Sequence, residues 1–154
     1  MWKLTFVTIL TAAIVVVGLV ATVDAKALPT GEIELVMELE YPEGVALDKK
    51  GNIFVSLPRL GEVWKITPNG EPTVLCDGLP EALGLAVDAP GNVYVAVGSI
   101  DPGLRGVYRI VREGSSCERF PGTENMTYPD GLAFDKRGNL YATDAAEGSI
   151  YRIG

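Results

Sequence analysis

Apolar and polar positions alternate in short bursts along this chain, and the same burst pattern is written three times: PEGVALDKKGNIFVS at 42–56, ALGLAVDAPGNVYVA at 82–96 and PDGLAFDKRGNLYAT at 129–143. Each copy reads as a period-two apolar strand, an Asp, a two-residue spacer, a Gly-Asn turn and a second strand. A third strand follows in each, with apolar, aromatic, basic and Ile positions in order: Val63-Trp64-Lys65-Ile66, Val107-Tyr108-Arg109-Ile110 and Ile150-Tyr151-Arg152-Ile153. Outer strands are expected near 72–76 and 116–120, after turns at Asn69-Gly70 and Glu113-Gly114. For the first copy the pattern predicts strands near 44–48, 52–56, 62–67 and 72–76.

The copies are offset by 40 and 47 residues, judged from Asp48, Asp88 and Asp135. Strand-rich repeats of that period predict an all-β fold of β-propeller blades, since one four-stranded blade cannot bury its own faces. The residues amount to about three blades, fewer than a closed ring needs. Glu32 to Leu39 reads as an additional outer strand ahead of the first blade. Open blade faces and edges predict that residues 26–154 dimerise, aggregate or unfold, and the alternatives to an unfinished ring are half-rings that pair into a full one or an open stack of sheets with exposed edges.

The recurring Asp48, Asp88 and Asp135 are expected to form turns, accepting amide hydrogen bonds in the Asp-x-x-Gly-Asn bend. Trp64, Tyr108 and Tyr151 are expected to pack between blades. The position just ahead of the first strand varies: Glu43, Leu83 and Asp130, each followed by Gly. In a propeller the first strands line the central channel, so these residues surround its mouth. Carboxylates converging there suit a hard cation such as calcium, while the alternative is that Glu43 and Asp130 satisfy turn amides. Loops expected on the same side offer Asp101, Arg105 and Asp144 as substrate-binding candidates, or as solvated loop charge. Asn125-Met126-Thr127 is a glycosylation sequon in a eukaryotic secretory route.

Bulk chemistry narrows the options. The 154 residues carry a net charge of −7 and no His. An acidic chain without basic clusters is a poor partner for nucleic acid. Lacking His, it must work with carboxylates, hydroxyls, amides or an oxygen-ligated metal, and zinc is disfavoured. Lys3 followed by an apolar run to Val23 and a Val-x-Ala site predicts a signal peptide over 1–25, cleaved after Ala25, and a partial propeller domain over 26–154. The rival reading is a membrane anchor over 4–23. Either reading places the repeats outside the cytoplasm, secreted, periplasmic or extracellular. Cys76 and Cys117 fall in the outer strands of successive blades, which should splay apart, so two unpaired, packed cysteines are expected.

PDGLAFDKRGNLYATDAAEGSIYRI at 129–153 resembles the Pro-Asp-Gly blade of the regucalcin/gluconolactonase-like family of six-bladed propellers. It is also similar to the blades of NHL-repeat and strictosidine-synthase-like proteins. The first resemblance implies metal-dependent hydrolysis of a sugar lactone or related ester, with a divalent cation, calcium by expectation, held by Glu43 and Asp130, and Asp130 also serving as general base. Leu83 departs from the family pattern at the intervening mouth position, and no Asn-Gly strand start is present, so the implied site is partial and the chain resembles an N-terminal portion. The NHL likeness implies instead a non-catalytic propeller that binds protein or carbohydrate through its loops.

Overall fold

β-Branched and aromatic residues between Gly-containing turns leave these segments one economical arrangement, the antiparallel meander. The computed structural model describes residue 31, residues 33–111 and residues 116–154. The signal peptide or anchor, Glu32 and the Glu113-Gly114 turn lie outside the described residues. Blade 1 comprises β1 (Val45–Leu47), β2 (Ile53–Leu57), β3 (Glu62–Ile66) and β4 (Pro72–Cys76), hydrogen-bonded in that order. Blade 2 repeats the order with β5 (Ala82–Val87), β6 (Val93–Val97), β7 (Gly106–Ile110) and β8 (Cys117–Arg119). Blade 3 holds β9 (Pro129–Phe134), β10 (Leu140–Asp144) and β11 (Ser149–Ile153), with β11 at its edge. The strands expected from the pattern are therefore present and in phase.

Registers are equivalent in the three blades. On one face Ala46, Phe54 and Lys65 lie abreast in blade 1, as do Ala86, Tyr94 and Arg109 in blade 2, and Ala133, Tyr141 and Arg152 in blade 3. The opposite pleat faces the preceding blade. Phe54 and Val63 of blade 1 meet Leu85, Val93, Val95 and Ile110 of blade 2 in one buried cluster. Ala86, Tyr94 and Val107 of blade 2 meet Leu140 and Ala142 of blade 3 in another. There the Tyr94 ring packs edge-on against Phe134, with centroids 5.1 Å apart, and Phe120, 5.8 Å apart. Tyr108 joins the first cluster and Trp64 packs on the front of blade 1, while Tyr151 remains partly exposed.

Two expectations are corrected. Residues 33–39 form no strand; a strand exists only with a ladder partner, and this stretch has none among the described residues. Met37 and Leu39 instead lie on Val55, Leu57 and Ile66 at the front of blade 1. Secondly, Cys76 and Cys117 are not free but joined in a disulfide, with Cα atoms 6.1 Å apart. Each strand is rotated about 20–25° from its neighbour, so the outer strand of a blade is turned far from its inner one. The Cys76 end of β4, opposite Val63, thereby crosses toward the Cys117 end of β8, opposite Ile110. Both cysteines pack over the cluster between blades 1 and 2.

Candidate functional site

Each inner strand begins at an acidic or apolar residue followed by glycine, and close approach of backbones is the reason for that glycine. A Cβ on Gly44 would lie 2.4 Å from the Leu83 carbonyl oxygen and 3.1 Å from the Gly84 Cα. One on Gly84 would lie 2.3 Å from the Asp130 carbonyl oxygen and 2.9 Å from the Gly131 Cα. Only glycine lets the three inner strands converge this closely. Glu43, Leu83 and Asp130 thus stand side by side in consecutive blades at one rim, as the sequence pattern implied.

Irregular pairing shapes that rim. The ladder shifts register between Ala82 and Leu85 in blade 2, and opposite Ala142 to Asp144 in blade 3. Such bulges re-aim side chains at the end of a strand. Hydroxyls stitch the bulged segments: the Gly44 N–H donates to Ser56 Oγ at 2.8 Å, while the Ser56 hydroxyl donates to the Leu83 carbonyl at 2.6 Å. In blade 3 the Gly131 N–H donates to Thr143 Oγ1 at 2.8 Å.

The opposite ends of these strands have a different job. The Asp48 carboxylate accepts from the Lys50 and Asn52 amides and from Asn52 Nδ2. Asp88 and Asp135 make the corresponding bonds to the Gly91 and Asn92 amides and to those of Arg137 and Asn139. All three are turn-formers, as expected. A cleft of about 420 Å³ opens on this side, between blades 1 and 2, lined by Asp48, Lys50, Lys65 and Thr67 among others. It lies away from Glu43 and Asp130.

Two rim residues escaped the sequence reading. Tyr128 is clamped through its backbone, its N–H donating to Asp144 Oδ1 and its carbonyl accepting from Ala145 N. Its ring lies where a Cβ on Gly98 would meet it at 2.8 Å, with Leu83 Cδ1 equally near that point. Burial, then the Glu81 carboxylate beside it, then the charges of Asp130 and Glu43 push the Tyr128 phenol above its usual range. Glu81, the second residue, has a left-handed backbone (φ 53°) and a buried Oε2 without a hydrogen-bond partner among the described residues. A signal for both was available: Tyr41-Pro42-Glu43-Gly44, Glu81-Ala82-Leu83-Gly84 and Tyr128-Pro129-Asp130-Gly131 put Tyr41, Glu81 and Tyr128 at one repeat position. At the first of these, Arg59 stacks on the Tyr41 ring, 3.1 Å from its centroid.

The three loop candidates separate. Asp101 is exposed and organises its own loop, its Oδ1 accepting from Gly103 N and its carbonyl from Leu104 and Arg105 N. Arg105 is half-buried, with its Nε lacking a hydrogen-bond partner among the described residues. Asp144 lies beneath the surface, 1% exposed, and its oxygens receive the Thr127, Tyr128 and Glu147 amides. That carboxylate fixes the loop that carries Tyr128. Asn125 is exposed in the same connection, while the Thr127 hydroxyl donates to Glu147 Oε1 at 2.5 Å.

A divalent cation is what the family resemblance implies for Glu43 and Asp130. Calcium takes six to eight oxygens. Here two carboxylates flank a leucine, and among the described residues no three His, Cys, Asp or Glu side chains gather in a metal-binding arrangement. The residues of this stretch alone do not fit the ion.

No protein-family model matches the chain, and no curated protein matches it in sequence. Solved structures do match. A gluconolactonase from Xanthomonas campestris superposes with TM-score 0.62 at 20% identity, over 75% of this chain and 44% of that one. Virginiamycin B lyase from Staphylococcus aureus gives TM-score 0.60 at 19% identity, over 73% of this chain and 38% of that one. A chain of a nidogen/laminin complex gives 0.60 at 20%, over 75% and 48%. The matched stretch spans less than half of each of these proteins. By fold, then, the chain is three consecutive blades of a β-propeller, built like those of the gluconolactonase and virginiamycin B lyase structures.

Proposed function

We propose that this chain is an exported, gluconolactonase-like propeller segment whose channel mouth contributes part of a site for a sugar lactone or related ester. The observation that carries this reading is the close approach of the strand starts that carry Glu43, Leu83 and Asp130, with the Tyr128 ring and the Leu83 side chain meeting over Gly98. In this reading Asp130 takes a proton from water, the hydroxide adds to the acyl carbon, and the acyl–oxygen bond breaks as the departing alkoxide takes that proton back from Asp130, giving a hydroxy acid and restoring the carboxylate. Tyr128, with its pKa raised, keeps its proton at neutral pH and donates a hydrogen bond to the carbonyl oxygen or the departing alkoxide. Asp101 and Arg105 reach the ligand from the 98–105 loop. The remaining oxygen ligands for calcium would come from outside this stretch, so the segment by itself binds ligand weakly and does not turn it over.

Leu83 supports a second reading, a non-catalytic propeller that holds protein or carbohydrate through its loops. Titrating the isotope-labelled chain with gluconate and calcium separates the two. The first reading expects amide shifts at Gly44, Gly84 and Gly131 that weaken in Asp130→Asn, with gluconolactone hydrolysed at the background rate. Shifts confined to the 98–105 loop, or none at all, reject the lactone site. Submicromolar calcium binding by the single copy in dilute solution would overturn the partial-site account.

A further inference from the structure

The two ends of the blade stack carry the two halves of an interface that the molecule already makes twice inside itself. On the trailing face of blade 3, Tyr141 and Ile150 occupy the positions of Phe54 and Val63 in blade 1 and of Tyr94 and Val107 in blade 2. Val63 and Val107 are 0% exposed beneath the next blade, whereas Ile150 is 74% exposed. On the leading face of blade 1, Val45 occupies the position of Leu85 in blade 2. Leu85 is 6% exposed and Val45 is 63% exposed.

Gly131 is the independent observation. Gly44 and Gly84 are each pressed by the backbone of the following blade, but a Cβ on Gly131 would meet only Thr143 Oγ1, at 3.1 Å. Its φ lies outside the left-handed region, so among the described residues only the Thr143 hydroxyl, which the Gly131 N–H also bonds, crowds a side chain there. Gly131 therefore keeps the glycine of its repeat position with no backbone of a following blade against it among the described residues.

We propose that a second copy of this chain fills both faces, head to tail, so that two copies close one ring. Blade 1 of each copy then packs on blade 3 of the other through the register already used between blades 1 and 2, and between 2 and 3. Closure, rather than an open filament, follows from blade number: three blades per copy make six in a pair, within the four to eight of closed propellers. The segment 35–39 completes the contact. It lies at the front of blade 1 with Leu35 and Val36 72% and 68% exposed, and in the ring it runs along the open edge of β11 of the other copy as the missing fourth strand. Glu43 of each copy then stands next to Asp130 of the other, placing four carboxylates around one mouth.

Light scattering on the full chain, combined with cross-linking between copies, tests this. Chains carrying Val45→Cys are mixed with chains carrying Tyr141→Cys; these positions correspond to the Leu85 and Phe54 pair buried together between blades 1 and 2. The expected result is a two-copy mass and a disulfide joining unlike copies. Ile150→Glu is expected to raise the dissociation constant about 30-fold or more, as loss of a central interface anchor does. Because Ile150 is exposed in the single copy, the dilute variant should keep the wild-type circular dichroism spectrum. A monodisperse single copy at 100-fold dilution and at high concentration alike, an indefinite ladder of masses, or a dimer indifferent to Ile150→Glu overturns the proposal.

Discussion

Replacing Gly84 with alanine would place a methyl carbon 2.3 Å from the Asp130 carbonyl oxygen. Carbon–oxygen contacts in proteins close to about 3.3 Å, so the strands must part by roughly 1 Å. Both contacting groups are backbone, and neither can swing aside. Overpacking of this kind costs about 1–3 kcal/mol, and the rigidity of the neighbours places Gly84→Ala near the top of that range. Stiffening of the unfolded chain returns about 0.4–1 kcal/mol. The net loss of about 2 kcal/mol lowers the melting temperature by roughly 8 °C for a unit of this size. Gly131→Ala is the control, because it meets no backbone and only the Thr143 side-chain oxygen, at 3.1 Å, which need give by a few tenths of an ångström while keeping its bond to the Gly131 N–H, and it should melt within about 2 °C of wild type. Thermal melts followed by circular dichroism in dilute solution, where copies are apart, give both numbers. Equal losses for the two variants would refute the argument that inner-strand approach is what requires glycine.

Two further outcomes follow from the disulfide and from the turns. Intact-mass measurement without reductant should find Cys76 and Cys117 bonded, and reduction should lower stability by about 4 kcal/mol in the loop-entropy model for their separation of 41 residues; unchanged urea midpoints with and without reductant would contradict a bridge that constrains the unfolded chain. The Asn139 side chain and amide, with the Arg137 and Gly138 amides, hold the Asp135 carboxyl below its ordinary value of 3.8. A depressed folded pKa contributes stability above about pH 3.8 that is lost as pH falls through the folded value, so Asp135→Asn should flatten the acid limb of the stability profile below pH 4, and an unchanged slope would remove Asp135 from that account.

The sequence alone determined what is local and periodic. Apolar alternation between Gly-Asn turns specified eleven of the expected strands within a residue or two, because each strand's pleat and each Asp-x-x-Gly-Asn bend is fixed by neighbours close in the chain. It also placed Glu43, Leu83 and Asp130 at one rim, since equivalent repeat positions become equivalent places once blades stack. Tertiary structure decided whatever depends on how far one sheet is turned against the next. Twist brought Cys76 to Cys117, which counting residues along splayed strands had kept apart. The same geometry laid the Tyr128 ring over Gly98 against Leu83, drew Asp144 under the loop that carries Tyr128, and left residues 35–39 lying on a blade face without a ladder. A repeat tells which residues are alike; only packing in three dimensions tells which unlike residues meet.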